Sequence, residues 1–165
     1  MAAGATYEPI ATTTLASVAG SYTFSSIAGT YTDLIIVTNV KSPTTGNMFM
    51  QFNGDTATNY SRTVLAGNGT AAASARNTSI AKIYCDYYGY FNTGFDNTKI
   101  IQIQNYANTT TYKTSLIRSG AAATGTDAIV GLWRSTSAIT SIRLDSDGAN
   151  FSIGSTFTLY GIAAA

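Results

Sequence analysis

Asp33-Leu34-Ile35-Ile36-Val37-Thr38-Asn39-Val40 is the most apolar run in this chain of 165 residues. Isoleucine and valine favour strands because branched side chains pack well on a pleated surface. Four apolar residues in succession leave neither face of such a strand polar. The run therefore predicts a central strand that is buried on both faces.

Shorter strand-like runs lie on both sides of this stretch, and turn signals such as Asn53-Gly54 and Asp147-Gly148 separate them. The pattern contains eleven strand-like runs, or about ten strands, at 7–15, 21–25, 33–40, 47–53, 60–66, 78–84, 98–105, 110–118, 128–134, 138–144 and 156–162. The alanine-rich piece 71–75 has the composition for a turn of helix, but Gly69 and Asn77 bracket it tightly. Regular short strands of this kind predict an all-β protein, an antiparallel sandwich or barrel.

Alternation within the strands predicts which side chains face the core. Met48, Met50 and Phe52 share one face of their strand, and Ile101 and Ile103 point inward in theirs. In the run 110–118, Tyr112 and Leu116 are expected to pack. Proline favours an edge or an arm, so Pro9 and its neighbours predict an extended N-terminal arm over residues 1–20. Residues 21–165 are predicted to form a single domain.

The charge content is low and balanced, with nine Lys and Arg residues against eight Asp and Glu. A protein this close to neutral has little electrostatic protection against association, so part of its surface is expected to be covered by partners. The cations are scattered singly, which argues against binding to nucleic acid. No run reaches the roughly 18 apolar residues of a membrane-spanning helix, so no membrane association is expected.

Catalytic groups are scarce in this sequence. There is no histidine, no G-x-S-x-G elbow and no glycine-rich phosphate loop. The single Cys85 has no histidine to activate it and is interpreted as a buried structural thiol. A small hydrolase is the least favoured alternative, because no pair of carboxylates stands out. We expect a protein that is not an enzyme and that uses no cofactor.

The segment Asp145-Ser146-Asp147-Gly148-Ala149-Asn150 has two interpretations. Its carboxylates and amide resemble the opening of a calcium loop, although the later acidic ligands of such a loop are missing. Alternatively, it is a hairpin turn in which Gly148 takes a positive φ. The turn is favoured, and binding of a cation by Asp145 and Asp147 is left open.

The most unusual segment is Tyr84-Cys85-Asp86-Tyr87-Tyr88-Gly89-Tyr90-Phe91, which carries five aromatic rings in eight residues. Tyrosine gives a large contact area with a polar tip and is enriched at protein interfaces. The segment is interpreted either as a loop that faces a partner or receptor, or as a cover for one end of the sandwich.

Several stretches resemble small structural proteins of tailed bacteriophages, including cyanophages. They occur in the expected order across most of the chain: Tyr7-Glu8-Pro9-Ile10-Ala11-Thr12-Thr13-Thr14-Leu15, Gly29-Thr30-Tyr31-Thr32-Asp33-Leu34, Asn59-Tyr60-Ser61, Asn105-Tyr106-Ala107-Asn108-Thr109-Thr110-Thr111-Tyr112-Lys113-Thr114, Gly131-Leu132-Trp133-Arg134-Ser135 and Gly154-Ser155-Thr156-Phe157-Thr158-Leu159-Tyr160-Gly161-Ile162. The resemblance implies a component of the virion, a jelly-roll-like β-sandwich without enzymatic activity.

Our first functional hypothesis is a capsid decoration (cement) protein that bridges major capsid protein subunits, plausibly as a homotrimer. A tail or fibre module that binds a host surface glycan is the alternative. The residues predicted to make the contacts are Tyr7, Pro9 and Ile10 in the arm and Tyr87, Tyr88, Tyr90 and Phe91 in the tyrosine-rich segment.

Overall fold

A computed structural model describes residues 6–163, and this part of the chain is built from β-strands joined by turns. There are twelve strands, bounded as follows: β1 Tyr7–Thr14, β2 Ser21–Phe24, β3 Asp33–Val40, β4 Asn47–Phe52, β5 Tyr60–Gly67, β6 Ala72–Ile80, β7 Ile83–Tyr84, β8 Asn97–Gln104, β9 Lys113–Ala121, β10 Gly125–Trp133, β11 Ile142–Asp147 and β12 Thr156–Ile162. Within residues 6–163 no helix has the length and apolarity needed to cross a bilayer.

The strands form two antiparallel sheets. The larger sheet has eight strands in the order β1-β12-β3-β8-β9-β10-β5-β6, and the smaller has four in the order β2-β11-β4-β7. This arrangement confirms the predicted all-β class and is that of a β-sandwich. The jelly-roll topology is not confirmed, because a jelly roll is a double sheet of eight strands and here twelve strands divide eight to four.

The core lies between the two sheets. Met48, Met50 and Phe52 of β4 are buried, as the alternation predicted, and so are Ile101 and Ile103 of β8. Trp133 of β10 packs against the rings of Phe52 and Tyr60, and its indole Nε1–H donates to Asp55 Oδ2 at 2.7 Å. Burial of apolar surface from both layers is the main term that stabilises such a sandwich.

Strand β3 is central in the larger sheet, where it pairs with β12 on one side and β8 on the other. Its inward residues, such as Leu34 and Ile36, are fully buried, whereas Ile35 and Val37 on the opposite face are only partly covered. The prediction that both faces are buried is therefore wrong, because no part of residues 6–163 forms a second layer over the outer face of this sheet.

The N-terminal segment belongs to the sandwich. Strand β1 pairs with β12 as an edge strand, with a register shift between Pro9 and Ala11. Ile10 turns inward and packs against the core. The extended arm predicted for residues 1–20 is thus not confirmed from Tyr7 onward, and residues 1–5 lie outside the described residues.

Two local predictions were wrong, and the piece 71–75, which has the composition for a turn of helix, is extended and contributes to edge strand β6. The predicted strand 78–84 is divided between two strands in different sheets: β6 continues through Ser79, which has a φ of +53° beside a register shift, as far as Ile80, and the chain bends at Ala81 and Lys82 before β7. In β9 the inward residues are Lys113, Ser115 and Ile117, so Leu116 faces outward, and Tyr112 is exposed just before the strand.

Candidate interaction surfaces

An apolar belt crosses the outer face of the larger sheet. Strand register aligns two rows of side chains across β3, β8, β9, β10 and β5: Ile35, Gln102, Leu116, Val130 and Thr63 in one row, and Val37, Ile100, Arg118, Ala128 and Leu65 in the other. At roughly 4.8 Å between neighbouring strands, five strands span about 19 Å. We call these ten residues the outer belt.

The outer belt is open to solvent. Leu65, Val130 and Leu116 expose 64%, 48% and 40% of their surface. A groove of about 480 Å³ follows the belt and is also lined by Tyr7 of β1. Arg118 is the only charged residue of the belt. Exposed apolar side chains that lie together in this way make the belt a candidate surface for binding another molecule.

Sequence reasoning missed the belt, although its signal was present. Apolar residues occupy both alternation phases in Leu34-Ile35-Ile36-Val37, in Ile100-Ile101 and in Leu116-Ile117. That pattern fits a strand covered on both faces by its own chain, and equally a strand covered on one face by another molecule. The sequence does not tell these two cases apart.

The second surface is the tyrosine loop (residues 85–91), which connects β7 toward β8. Asp127 of β10 holds this loop, because its carboxylate accepts backbone N–H groups from Tyr87, Tyr88 and Gly89, each at 2.8 Å. Asp127 is almost completely buried. A carboxylate that accepts several backbone N–H groups forms strong, directional contacts, so the loop is fixed to the sheet beneath it.

Gly89 is the anchor point of the loop. Its carbonyl accepts from Asn97 Nδ2 at 2.6 Å, from Lys99 Nζ at 3.0 Å and from Ser119 Oγ at 3.1 Å. A side chain at this position would place its Cβ 2.6 Å from Ser119 Oγ and 2.8 Å from Asp127 Oδ2. Only glycine therefore allows the loop to lie so close to the sheet.

A buried ion pair lies directly under the loop. Lys99 Nζ is 3.0 Å from Asp86 Oδ2, and both side chains are completely inaccessible to solvent. The backbone N–H of Met48 also donates to Asp86 Oδ2, at 2.9 Å. Burial raises the pKa of Asp86, and the neighbouring Lys99 ammonium opposes that rise. Such a pair costs much desolvation energy, so its presence calls for an explanation.

The predicted contact residues have different fates. Tyr7 and Pro9 are exposed on β1, and Tyr87 is exposed in the tyrosine loop, while Tyr88 and Tyr90 are half-buried. The other two are less accessible, and the predicted contacts themselves stay predictions. Phe91 is buried because its ring packs edge-on against Phe151 in the core, and Ile10 is half-buried for the inward orientation given above. The two groups also line different hollows: Tyr7 lines the groove of the belt and Tyr87 a polar hollow.

The polar hollow has a volume of about 280 Å³ and is lined by Asn47, Arg62, Asn77, Ile80, Tyr84, Asp86 and Tyr87. Arg62 Nε donates to Asn77 Oδ1 at 3.0 Å, and its Nη1 donates to the carbonyls of Tyr84 and Asp86. Burial lowers the pKa of Arg62, and Asp86 opposes the shift. The hollow thus combines amide, guanidinium and phenol groups at the edge of the two sheets.

The segment 145–150 is not the hairpin turn favoured from the sequence: residues 145–147 end β11 in the smaller sheet, and the chain bends at Gly148 before it continues to β12 in the larger sheet. Gly148 has a φ of +79°. Asp145 pairs with Arg143, and Asp147 Oδ2 accepts from Lys82 Nζ at 3.2 Å and from the Tyr84 hydroxyl at 3.0 Å. Within the described part of the chain, no cluster of three or more His, Cys, Asp or Glu side chains is arranged to hold a metal ion.

Comparisons with protein-family models, with curated proteins and with solved structures gave no significant match to this chain.

Proposed function

We propose that this chain is a structural protein of a tailed-phage virion, specifically a capsid decoration (cement) protein that bridges major capsid protein subunits. The observation that carries the proposal is the outer belt, an exposed and largely apolar surface on the outer face of the larger sheet. The resemblance to small structural proteins of tailed bacteriophages supports the choice of the virion as its location. No catalytic activity is part of this proposal.

The belt suits a permanent contact more than a transient one. Stable interfaces bury about 800 Å² on each partner and have an apolar centre. The belt offers Leu116, Ile100 and Val130 on its three middle strands, with Gln102 and the one charged residue, Arg118, among them. Because the chain carries so little charge, electrostatic repulsion opposes such docking only weakly.

Repeated binding sites on a capsid would strengthen a modest contact. If the chain assembles as a homotrimer, three belts engage the shell together, and each further contact becomes an intramolecular event. A trimer also matches the local threefold positions of an icosahedral shell. Light scattering on the purified chain measures this state, and a monomer at all concentrations would contradict the trimer.

The location is tested on particles of the phage that encodes the chain. Heads and tails are purified separately and labelled with an antibody against the chain, followed by electron microscopy. Labelling spread over the heads is the expected result. Labelling confined to tails contradicts the decoration hypothesis, and absence from both contradicts any role in the virion.

The role of the belt is tested by adding purified variants to particles that lack the chain. Val130→Asp places a negative charge in the belt, on β10 and opposite Leu116 of the middle strand β9, and Ile153→Asp makes the same change at a residue that is 61% exposed and not part of the belt. We expect Val130→Asp to reduce occupancy at least tenfold, about 1.4 kcal/mol. Ile153→Asp should bind like the unmodified chain, and equal binding by both variants would refute the role of the belt.

A second candidate function is a tail or fibre module that binds a host surface glycan. The polar hollow favours it, since Asn47, Asn77 and Arg62 provide hydrogen-bonding groups beside the rings of Tyr84 and Tyr87. A glycan array probed with the purified chain and with Asn77→Ala tests this candidate. Glycan binding that Asn77→Ala removes and Val130→Asp leaves intact would favour it over decoration.

A further inference from the structure

The buried pair of Lys99 and Asp86 connects the two layers of the sandwich. Lys99 projects inward from β8, in the middle of the larger sheet. Asp86 follows β7 and is attached to the smaller sheet, because Met48 of β4 donates its N–H to Asp86 Oδ2 and accepts the N–H of Cys85 at 2.8 Å. The two side chains therefore meet between the sheets, 13 residues apart in the chain.

Only one oxygen of the Asp86 carboxyl group is used. Oδ2 accepts from Met48 and faces Lys99, whereas Oδ1 is buried and has no hydrogen-bond partner among residues 6–163. A buried carboxylate is poorly stabilised when only one of its oxygens has a hydrogen-bond partner. Transfer of a proton from Lys99 to Asp86 gives a neutral acid and a neutral amine. These are the reactants of amide formation.

We propose that Lys99 and Asp86 join spontaneously into an isopeptide bond that links the two sheets. The Lys99 ammonium gives one proton to Asp86 Oδ2, and the neutral Nζ attacks the carboxyl carbon Cγ. A Cγ–Nζ bond forms, one Cγ–O bond breaks, and the leaving oxygen departs as water with two protons from the nitrogen and carboxyl group. The ammonium and carboxylate thus become one amide and one water, without any oxidant or external reactant.

The surroundings hold the nitrogen in place for this step. Lys99 Nζ donates to Ser119 Oγ at 2.8 Å and to the Gly89 carbonyl at 3.0 Å, and it lies 5.5 Å from the centre of the Phe91 ring. Both reacting groups are thus fixed at contact distance inside the core. Such fixation raises the effective concentration of one group at the other by several orders of magnitude.

Burial also favours the product. An amide carries no charge, so the bond removes the desolvation penalty of the ion pair. The two side chains have no accessible surface, so bulk water has no direct contact with the bond for the reverse reaction, and the water that forms leaves toward the polar hollow that Asp86 lines. The inference does not depend on the function proposed above, since the bond would form in the isolated folded chain.

In the chain without substitutions, the bond changes the mass of the protein and the set of its tryptic peptides. Intact mass spectrometry of the purified, denatured protein should show a loss of about 18 Da, the mass of one water. Trypsin normally cleaves after Lys82, Lys99 and Lys113, so the unlinked chain yields peptide 83–99. An acylated Lys99 resists cleavage, and we expect instead peptide 83–113, lighter by about 18 Da, with fragment ions absent between residues 86 and 99.

Two variants make the assignment specific. Asp86→Ala should restore the full mass and cleavage after Lys99, whereas Asp86→Asn should still form the bond and lose ammonia, about 17 Da, from its own mass. A succinimide at Asp147-Gly148 also loses one water, but that loss maps to a different peptide. The proposal would be overturned if the folded chain without substitutions had the mass calculated from its sequence, or if trypsin released peptide 83–99 from it normally.

Discussion

Replacing Asp127 by alanine should destabilise the protein strongly, although Asp127 takes part in no ion pair among the described residues. Its carboxylate accepts the N–H groups of Tyr87, Tyr88 and Gly89. Alanine leaves these three donors without an acceptor, and Gly89 is fully enclosed. The loop should keep its position and lose only these hydrogen bonds, because the Gly89 carbonyl also attaches it to the sheet.

The magnitude follows from the burial of each donor. An unsatisfied buried N–H costs about 1–3 kcal/mol, and hydrogen bonds to a charged acceptor lie toward the upper end. Gly89 should carry the full penalty, while water reaches Tyr87 and part of Tyr88. We therefore expect a decrease of about 3 kcal/mol in the free energy of unfolding, a large part of the 5–15 kcal/mol of an ordinary domain.

Urea unfolding followed by tryptophan fluorescence measures this change. Trp133 is the only tryptophan of the chain and is 2% exposed, so its emission reports loss of the core. Asp96→Ala is the matched control, because Asp96 is exposed and makes only surface contacts, an ion pair with Lys41 at 3.6 Å and a hydrogen bond from Asn39 Nδ2 at 3.1 Å. Its effect should stay below about 0.5 kcal/mol. Equal stabilities of the two variants would refute the anchoring role of Asp127.

Three further outcomes are expected. Gly89→Ala should cost about 1–3 kcal/mol in urea unfolding, because the added methyl meets Asp127 Oδ2 at 2.8 Å, and an unchanged midpoint would contradict this reasoning. Burial alone would raise the pKa of Asp55, but hydrogen bonding, led by Trp133, lowers it overall. The stability that Asp55 contributes is therefore complete above the unfolded pKa of about 3.9 and is lost as the pH falls through the lower pKa of the folded state. Asp55→Asn should flatten the acid side of a plot of urea midpoint against pH. An unchanged slope would contradict the assignment. Burial raises the pKa of Cys85 to about 12, so a thiol reagent at neutral pH should label it only after unfolding, and labelling of the native chain would show that the site opens.

Alternation predicted the inner faces of several strands correctly, because polar and apolar residues differ there. In β8 the buried Ile101 and Ile103 alternate with the partly exposed Gln102 and Gln104. The same reasoning failed in β9, where Leu116 and Ile117 are both apolar and the inward positions include a lysine and a serine. Which face of such a strand points inward is decided by its packing against the second sheet, and the local sequence does not carry that information.

The break after β6 was also beyond sequence reasoning. Ser79 adopts a φ of +53°, a conformation in which glycine or asparagine would be expected. Nothing in Thr78-Ser79-Ile80 marks it. Ser79 lies inside β6 at the register shift opposite Tyr60 and Arg62, and the chain then bends at Ala81 and Lys82, so that Ile83 pairs with Met50 of the smaller sheet.

The buried charges under the tyrosine loop were partly predictable. Lys99 shares the alternation phase of Ile101 and Ile103, so the inward assignment of those residues already placed a lysine in the core. Its acidic partner was not predictable, since Asp86 comes from the tyrosine loop, 13 residues earlier in the chain. An inward lysine is therefore a usable signal for a buried acid, although the identity of that acid requires the fold.

Strand β1 ends the larger sheet with a proline, and this has a consequence for how copies of the chain can grow into aggregates. Pro9 lacks an N–H, and the register shift beside it interrupts the regular ladder that a foreign strand would need. Fibre growth by strand addition is therefore hindered at that border. In concentrated solutions, copies of the chain should instead aggregate through the outer face of the larger sheet. Salt should not prevent this aggregation, and mild detergent should reverse it.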